Sequence, residues 1–142
     1  MELDITKFSK WHKFDDIFGL EETKSPGVYV LAHWDSVQSK PKSFISKEIF
    51  YIGETTKQTI RARLRQFENS AFKEKSGHSG GWTYREKCKA VTKPPKNLYV
   101  SFRPEKSSGY KGVAIIKYIE RGLLLNYVLK QSNKESPVCN KA

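Results

Sequence analysis

Two apolar runs lie close together in the first half of the chain. Residues 27–33 read GVYVLAH and residues 48–53 read EIFYIG. Both are rich in β-branched and aromatic side chains, as buried strands are. The polar stretch between them, residues 34–47, contains Pro41. It is too short to hold a full crossover helix with its turns. Parallel neighbours need such a crossover, so this spacing points to an antiparallel hairpin.

The rest of the chain reads around that hairpin. From about Lys57 to Ala71, the residues Ile60, Leu64, Phe67 and Ala71 recur at helical spacing and define a core stripe. Residues 73–87, KEKSGHSGGWTYREK, are Gly-rich and basic and read as a loop, and Pro94-Pro95 marks a further break. NLYVSFRP at 97–104 reads as a third strand closed by Pro104. Residues 113–131 form an apolar helix with Ile116, Ile119, Leu123 and Tyr127 on one stripe. Near the N-terminus, Leu3, Ile5, Phe8, Trp11, Phe14, Ile17 and Phe18 are spaced for one or two short amphipathic helices, ended by Pro26-Gly27. The expectation is an α/β chain of the α+β kind, with a small three-stranded antiparallel sheet flanked by helices. Residues 1–24 would be an N-terminal helical extension and residues 25–142 one compact unit.

Charge narrows the partners. There are 26 Lys+Arg against 15 Asp+Glu, a formal net charge of +11. An excess of this size favours a polyanion, nucleic acid first and an anionic membrane surface second. No apolar segment approaches the ~18–20 residues that span a bilayer. The first residues, MELDITKFSKWHKF, lack the apolar core of a signal peptide. Cys88 and Cys139 are too few for a disulfide framework and have no zinc-type spacing. Two reduced thiols in a cytoplasmic protein are expected.

The first helix carries Arg61, Arg63 and Arg65. Residues on a helix turn about 100° each, so Arg61 and Arg65 share a face and Arg63 does not. Arg63 borders the stripe formed by Ile60, Leu64 and Phe67. Its planar fork suits phosphate oxygens and stays charged. On the later helix, Glu120 is the only acidic residue and also borders an apolar stripe. A lone carboxylate there suits one Mg²⁺ that keeps several waters and borrows phosphate oxygens.

GVY on one strand, YIG at the end of the next, an Arg-bearing helix, a third strand and a Glu-bearing helix follow one another in that order. This arrangement resembles the GIY-YIG nuclease family, with GVY standing for GIY, over roughly residues 25–140. The resemblance implies phosphodiester hydrolysis in duplex DNA with one Mg²⁺ or Mn²⁺, by an enzyme that acts as a homodimer if it cuts both strands. Arg63 would stabilise charge on the phosphate, Glu120 would hold the metal, and Tyr29 or Tyr51 would take the proton from the attacking water. The family's Asn would be Asn140 in PVCN, with Asn126 and Asn133 as alternatives.

One position departs from the pattern. Many family members carry His or Tyr four residues after the Arg; here that residue is Phe67. His78, in SGHSGG, is the candidate to supply the missing group. Lys57, Arg61, Arg65, Lys73, Lys75, Lys87 and Lys89 would contact the DNA backbone. Trp82 and Tyr84 either stack on a base or complete the fold. Segments 34–47 and 73–96 are expected to touch bases. Phe67 also keeps open a DNA-binding module that does not cut, and a membrane-surface domain is the third reading.

Overall fold

The computed structural model describes residues 3–88 and 92–140. Four strands form one sheet: β1 (His12–Lys13), β2 (Gly27–His33), β3 (Ile49–Thr55) and β4 (Leu98–Pro104), in the order β1-β4-β2-β3. Every neighbouring pair is antiparallel. The hairpin of β2 and β3 forms as the short connection requires, with Tyr29 opposite Gly53 and Leu31 opposite Tyr51. Three helices pack on the sheet: α1 (Ile60–Lys73), α2 (Ser79–Lys87) and α3 (Gly109–Lys130).

The expected three-stranded sheet gains a fourth strand. Residues 9–13 run beside β4 rather than forming a helix. Ser9 N–H donates to the Phe102 carbonyl at 2.8 Å, and Ser101 Oγ donates to the Ser9 carbonyl at 2.7 Å. What remains helical before β2 is three short 3₁₀ turns, Ile5–Lys7, Phe14–Gly19 and Glu21–Lys24. The aromatic spacing that suggested one amphipathic face instead serves two layers. Phe8 and Trp11 pack on the α3 side of the sheet, while Phe14 and Ile17 pack on the α1 side.

The sheet separates two cores. On one side Tyr29, Leu31, Phe50 and Val100 meet Ile60, Leu64 and Phe67 of α1 and Tyr84 of α2. On the other, Val28, Val30 and Ile52 meet Ile116, Ile119, Leu123 and Tyr127 of α3. Both stripes read from the sequence are buried.

Segment 73–87, read as a loop, contains α2. Gly80 and Gly81 lie in its first turn, and glycine weakens any helical signal. Their absence of side chains is a packing requirement. A Cβ on Gly80 would sit 2.5 Å from the Tyr51 ring, and one on Gly81 would sit 2.8 Å from Ser70 Cβ.

The C-terminal tail covers the free edge of β3. Cys139 N–H donates to the Phe50 carbonyl at 2.8 Å. The Asn140 amide accepts from Ile52 N–H at 2.9 Å and donates to the Ile52 carbonyl at 2.8 Å. Among the described residues, no helix is long and apolar enough to cross a membrane.

Candidate active site

Side chains alternate across a strand, so Tyr29, Tyr51 and Gly53 all face α1 and α2. Gly53 is the space in which the two tyrosines meet. A Cβ there would lie 2.5 Å from the Tyr51 ring and 2.8 Å from the Tyr29 hydroxyl. Tyr29 is wholly enclosed, while Tyr51 retains partial access to solvent.

His78 completes this pair. It caps the N-terminus of α2, its Nδ1 accepting from Gly81 N–H at 3.1 Å. Its own N–H donates to Ser70 Oγ at 3.1 Å, and its ring meets Phe67 edge-on at 5.4 Å between centroids. The Nε2 atom lies 2.9 Å from the Tyr29 hydroxyl. Burial, and then the charge of Arg63, push the imidazole down to about 3, so the ring is neutral at physiological pH. With Nδ1 occupied as an acceptor, the proton resides on Nε2, which donates to the Tyr29 oxygen. The Tyr29 O–H is then left free to point toward Tyr51, whose ring centroid lies 6.0 Å from that of Tyr29. A directed chain results, from the α2 backbone through His78 to Tyr29, with Tyr51 beside it.

Both phenols are held above their usual range, chiefly by burial. At Tyr51 the Arg63 charge and the Tyr29 hydrogen bond oppose that rise, while Glu120 and Glu54 reinforce it. Arg63 is half-buried, as its place beside the stripe implied. Its guanidinium donates to the Gly77 carbonyl at 2.7 Å and to Gln66 Oε1. That grip holds one cation near enough for its charge to act on Tyr29, Tyr51 and His78 together.

Glu120 stands on α3, half-buried. Burial and then the neighbouring Glu54 raise its carboxyl, against the pull of Arg121 and Lys117. Glu54 directly follows the YIG run. One of its oxygens lies 3.8 Å from Lys117 Nζ. The other is enclosed with no hydrogen-bond partner among the described residues. A carboxyl raised by a neighbouring carboxylate that has an unsatisfied oxygen of its own forms a donor set suited to a hard divalent cation that keeps most of its waters. Among the described residues, no cluster of three or more His, Cys, Asp or Glu side chains offers a closed metal cage.

The structure thus gathers Tyr29, Tyr51, Arg63 and His78, with Glu120 near enough for its charge to act on Tyr51. Asn140 is elsewhere: both ends of its amide hold the backbone of Ile52, so it fixes the strand beside Tyr51 and does not reach the hydroxyls. Glu54, Ser70, Gly80 and Gly81 belong to the neighbourhood and were not singled out in the sequence. Only Glu54, adjacent to YIG, carried a positional signal.

The basic residues divide. Arg61 donates to Thr23 Oγ1 at 3.2 Å and to the Leu20 carbonyl at 2.8 Å, so it anchors the N-terminal segment. Arg65 pairs with Glu68 at 2.9 Å and lies over the Phe18 ring at 3.6 Å. Lys57, Lys73 and Lys75 are exposed. Lys87 reaches the Val138 carbonyl at 3.4 Å, and Lys89 lies outside the described residues. Tyr84 is buried and bonded to His33 Nε2 at 2.9 Å, whereas Trp82 lies at the surface.

Comparison with protein-family models, with curated proteins and with solved structures finds no match.

Proposed function

We propose that this chain is a metal-dependent endodeoxyribonuclease with a GIY-YIG-type site. The observation that carries the reading is the meeting of Tyr29 and Tyr51 in the space left by Gly53, with His78 bonded to Tyr29 and the Arg63 charge acting on all three. The His78 ring also sits against Phe67, so the imidazole absent four residues after Arg63 is supplied from the cap of α2.

Arg63 stabilises negative charge on the scissile phosphate, its orientation fixed by the Gly77 carbonyl. Of the two tyrosines, Tyr29 is fully enclosed and Tyr51 is half-buried, so the proton of the attacking water passes to Tyr51 Oη. Taking that proton requires a phenolate. The Tyr29 O–H and the Arg63 charge are the two features that stabilise one. His78 holds Tyr29 in the donor orientation. Mg²⁺ or Mn²⁺ held by Glu120, with Glu54 beside it, would polarise the phosphate and stabilise the leaving oxygen. Lys57, Lys73 and Lys75, together with the net charge of +11, favour duplex DNA as substrate and give binding a steep salt dependence. Cutting both strands calls for a homodimer or two binding events, and a cytoplasmic location fits such a substrate.

The test is supercoiled plasmid incubated with Mg²⁺, with a chelator, and with Glu120→Ala protein. Nicking or linearisation that needs Mg²⁺ and is lost in the variant supports the reading. Retarded plasmid with no cleavage at any protein level would replace the nuclease with a DNA-binding module.

A further inference from the structure

Cys88 follows the last turn of α2, and Cys139 lies on the tail that covers β3. Though remote in sequence, the two positions meet: Lys87 Nζ donates to the Val138 carbonyl at 3.4 Å, and Cys88 packs against the core cluster that contains Cys139, close enough for each thiol to act on the other. Cys139 is fully buried, while Cys88 is half-buried and the more accessible of the two. Both thiols are free, and their proximity was not legible in the sequence, because spacing says nothing about which distant elements meet.

What the pair would join bears on the site. Through its first turn, α2 holds His78, and it sets Gly80 against Tyr51. The tail grips β3 on both sides of Tyr51, through Cys139 N–H on Phe50 and Asn140 on Ile52. We propose that Cys88 and Cys139 form a reversible intrachain disulfide, a modification site that fastens the C-terminal tail to the end of α2 across the edge of β3.

The chemistry has distinct roles for the two sulfurs. The neighbouring Cys139 thiol, aided by Lys87, lowers the Cys88 thiol to about 7, and the same proximity together with burial raises that of Cys139. Cys88 is therefore the attacking thiolate and Cys139 the resolving thiol. The oxidant is a low-molecular-weight disulfide such as glutathione disulfide. Cys88 Sγ attacks one of its sulfurs and releases the first glutathione thiolate. Cys139 Sγ then attacks the Cys88 sulfur and releases the second. The protein loses two electrons and two protons, and the oxidant becomes two thiols.

The experiment equilibrates the full chain at fixed ratios of oxidised to reduced glutathione. It is then denatured, alkylated and weighed, and its peptides are mapped. The expected product is a monomer lighter by two hydrogens, with no alkylatable thiol and a peptide linking Cys88 to Cys139. Amide exchange at Ile52 should slow in that form. Cys139→Ser should stop at a glutathione adduct on Cys88, and Cys88→Ser should leave plasmid cleavage unchanged. Persistent adducts on the wild type, chain-to-chain disulfides or two free thiols at every ratio would each overturn the proposal. The wild-type mass and peptide map decide the matter even where a variant fails to fold, and they read nothing from nuclease activity.

Discussion

His78 Nε2 donates to the Tyr29 hydroxyl across 2.9 Å, and Gly81 N–H, bound to Nδ1, determines which ring nitrogen holds the proton. A neutral imidazole fixed in this way is a donor, so its role is to orient Tyr29 rather than to accept a proton from it. Long-range ¹⁵N–¹H spectra at neutral pH should therefore show one His in a pure Nε2–H form, lost in His78→Gln. The Gln variant keeps a donor and should retain part of the cleavage. His78→Phe leaves the Tyr29 oxygen unpaired and should lower cleavage on the order of 10- to 100-fold, the equivalent of about 1–3 kcal/mol. A Phe variant as active as the wild type would remove His78 from the site.

The same burial makes stability depend on pH. His78 titrates at about 3 in the folded chain and near ~6.5 when unfolded. Between those values the unfolded chain binds the extra proton, so stability rises with pH through this window. The contribution is complete above about pH 6.5 and is lost as pH falls toward 3, by roughly 1.4 kcal/mol per pH unit from this group alone. Urea denaturation at a series of pH values should show that slope reduced in His78→Gln relative to wild type. Parallel curves would mean that His78 is not held neutral.

Local pattern carried most of the framework. The hairpin followed from a connection too short for a crossover, and the stripes of α1 and α3 followed from helical periodicity. The fourth strand was illegible because its pairing rests on Ser9 and Ser101, whose partners are backbone atoms ninety residues away in the chain. The helix α2 was illegible for a different reason. Gly80 and Gly81 weaken local propensity in order to admit Tyr51 and Ser70, and that reason exists only in the folded structure. At the site, Arg63 was readable as an arginine bordering a core stripe. Arg61 and Arg65 were not separable from DNA-facing residues, since an arginine that anchors Leu20 looks the same in sequence as one that contacts phosphate.

Glu120 should separate function from stability. Burial and Glu54 raise its carboxyl, so the folded chain holds that proton more tightly than the unfolded one. Stability from this group is therefore present at low pH and lost as pH rises through the ordinary carboxylate range. At pH 7 Glu120→Gln removes the penalty, and its thermal midpoint should equal or exceed that of the wild type. The advantage should vanish below about pH 4, where both side chains are neutral. Cleavage should fall on the order of 100-fold or more, since the amide is a poor metal ligand. A variant both unstable and inactive would place Glu120 in the fold rather than in the chemistry.

Gly53 makes the sharpest steric prediction. A methyl group there meets the Tyr51 ring at 2.5 Å and the Tyr29 ring and hydroxyl at 2.7 and 2.8 Å. Neither tyrosine can yield easily, because Tyr29 is held by His78 and the Tyr51 ring is backed by Gly80. Overpacking of this kind costs about 1–3 kcal/mol, so Gly53→Ala should unfold at lower urea with an unchanged m value. Cleavage should fall further than the lost stability explains, because the two hydroxyls must move apart. Gly19 supplies the control: a Cβ there meets nothing within 4 Å, and Gly19→Ala should stay within about 0.5 kcal/mol of wild type with full activity. Equal behaviour of the two variants would mean that the space at Gly53 does not set the tyrosine pair.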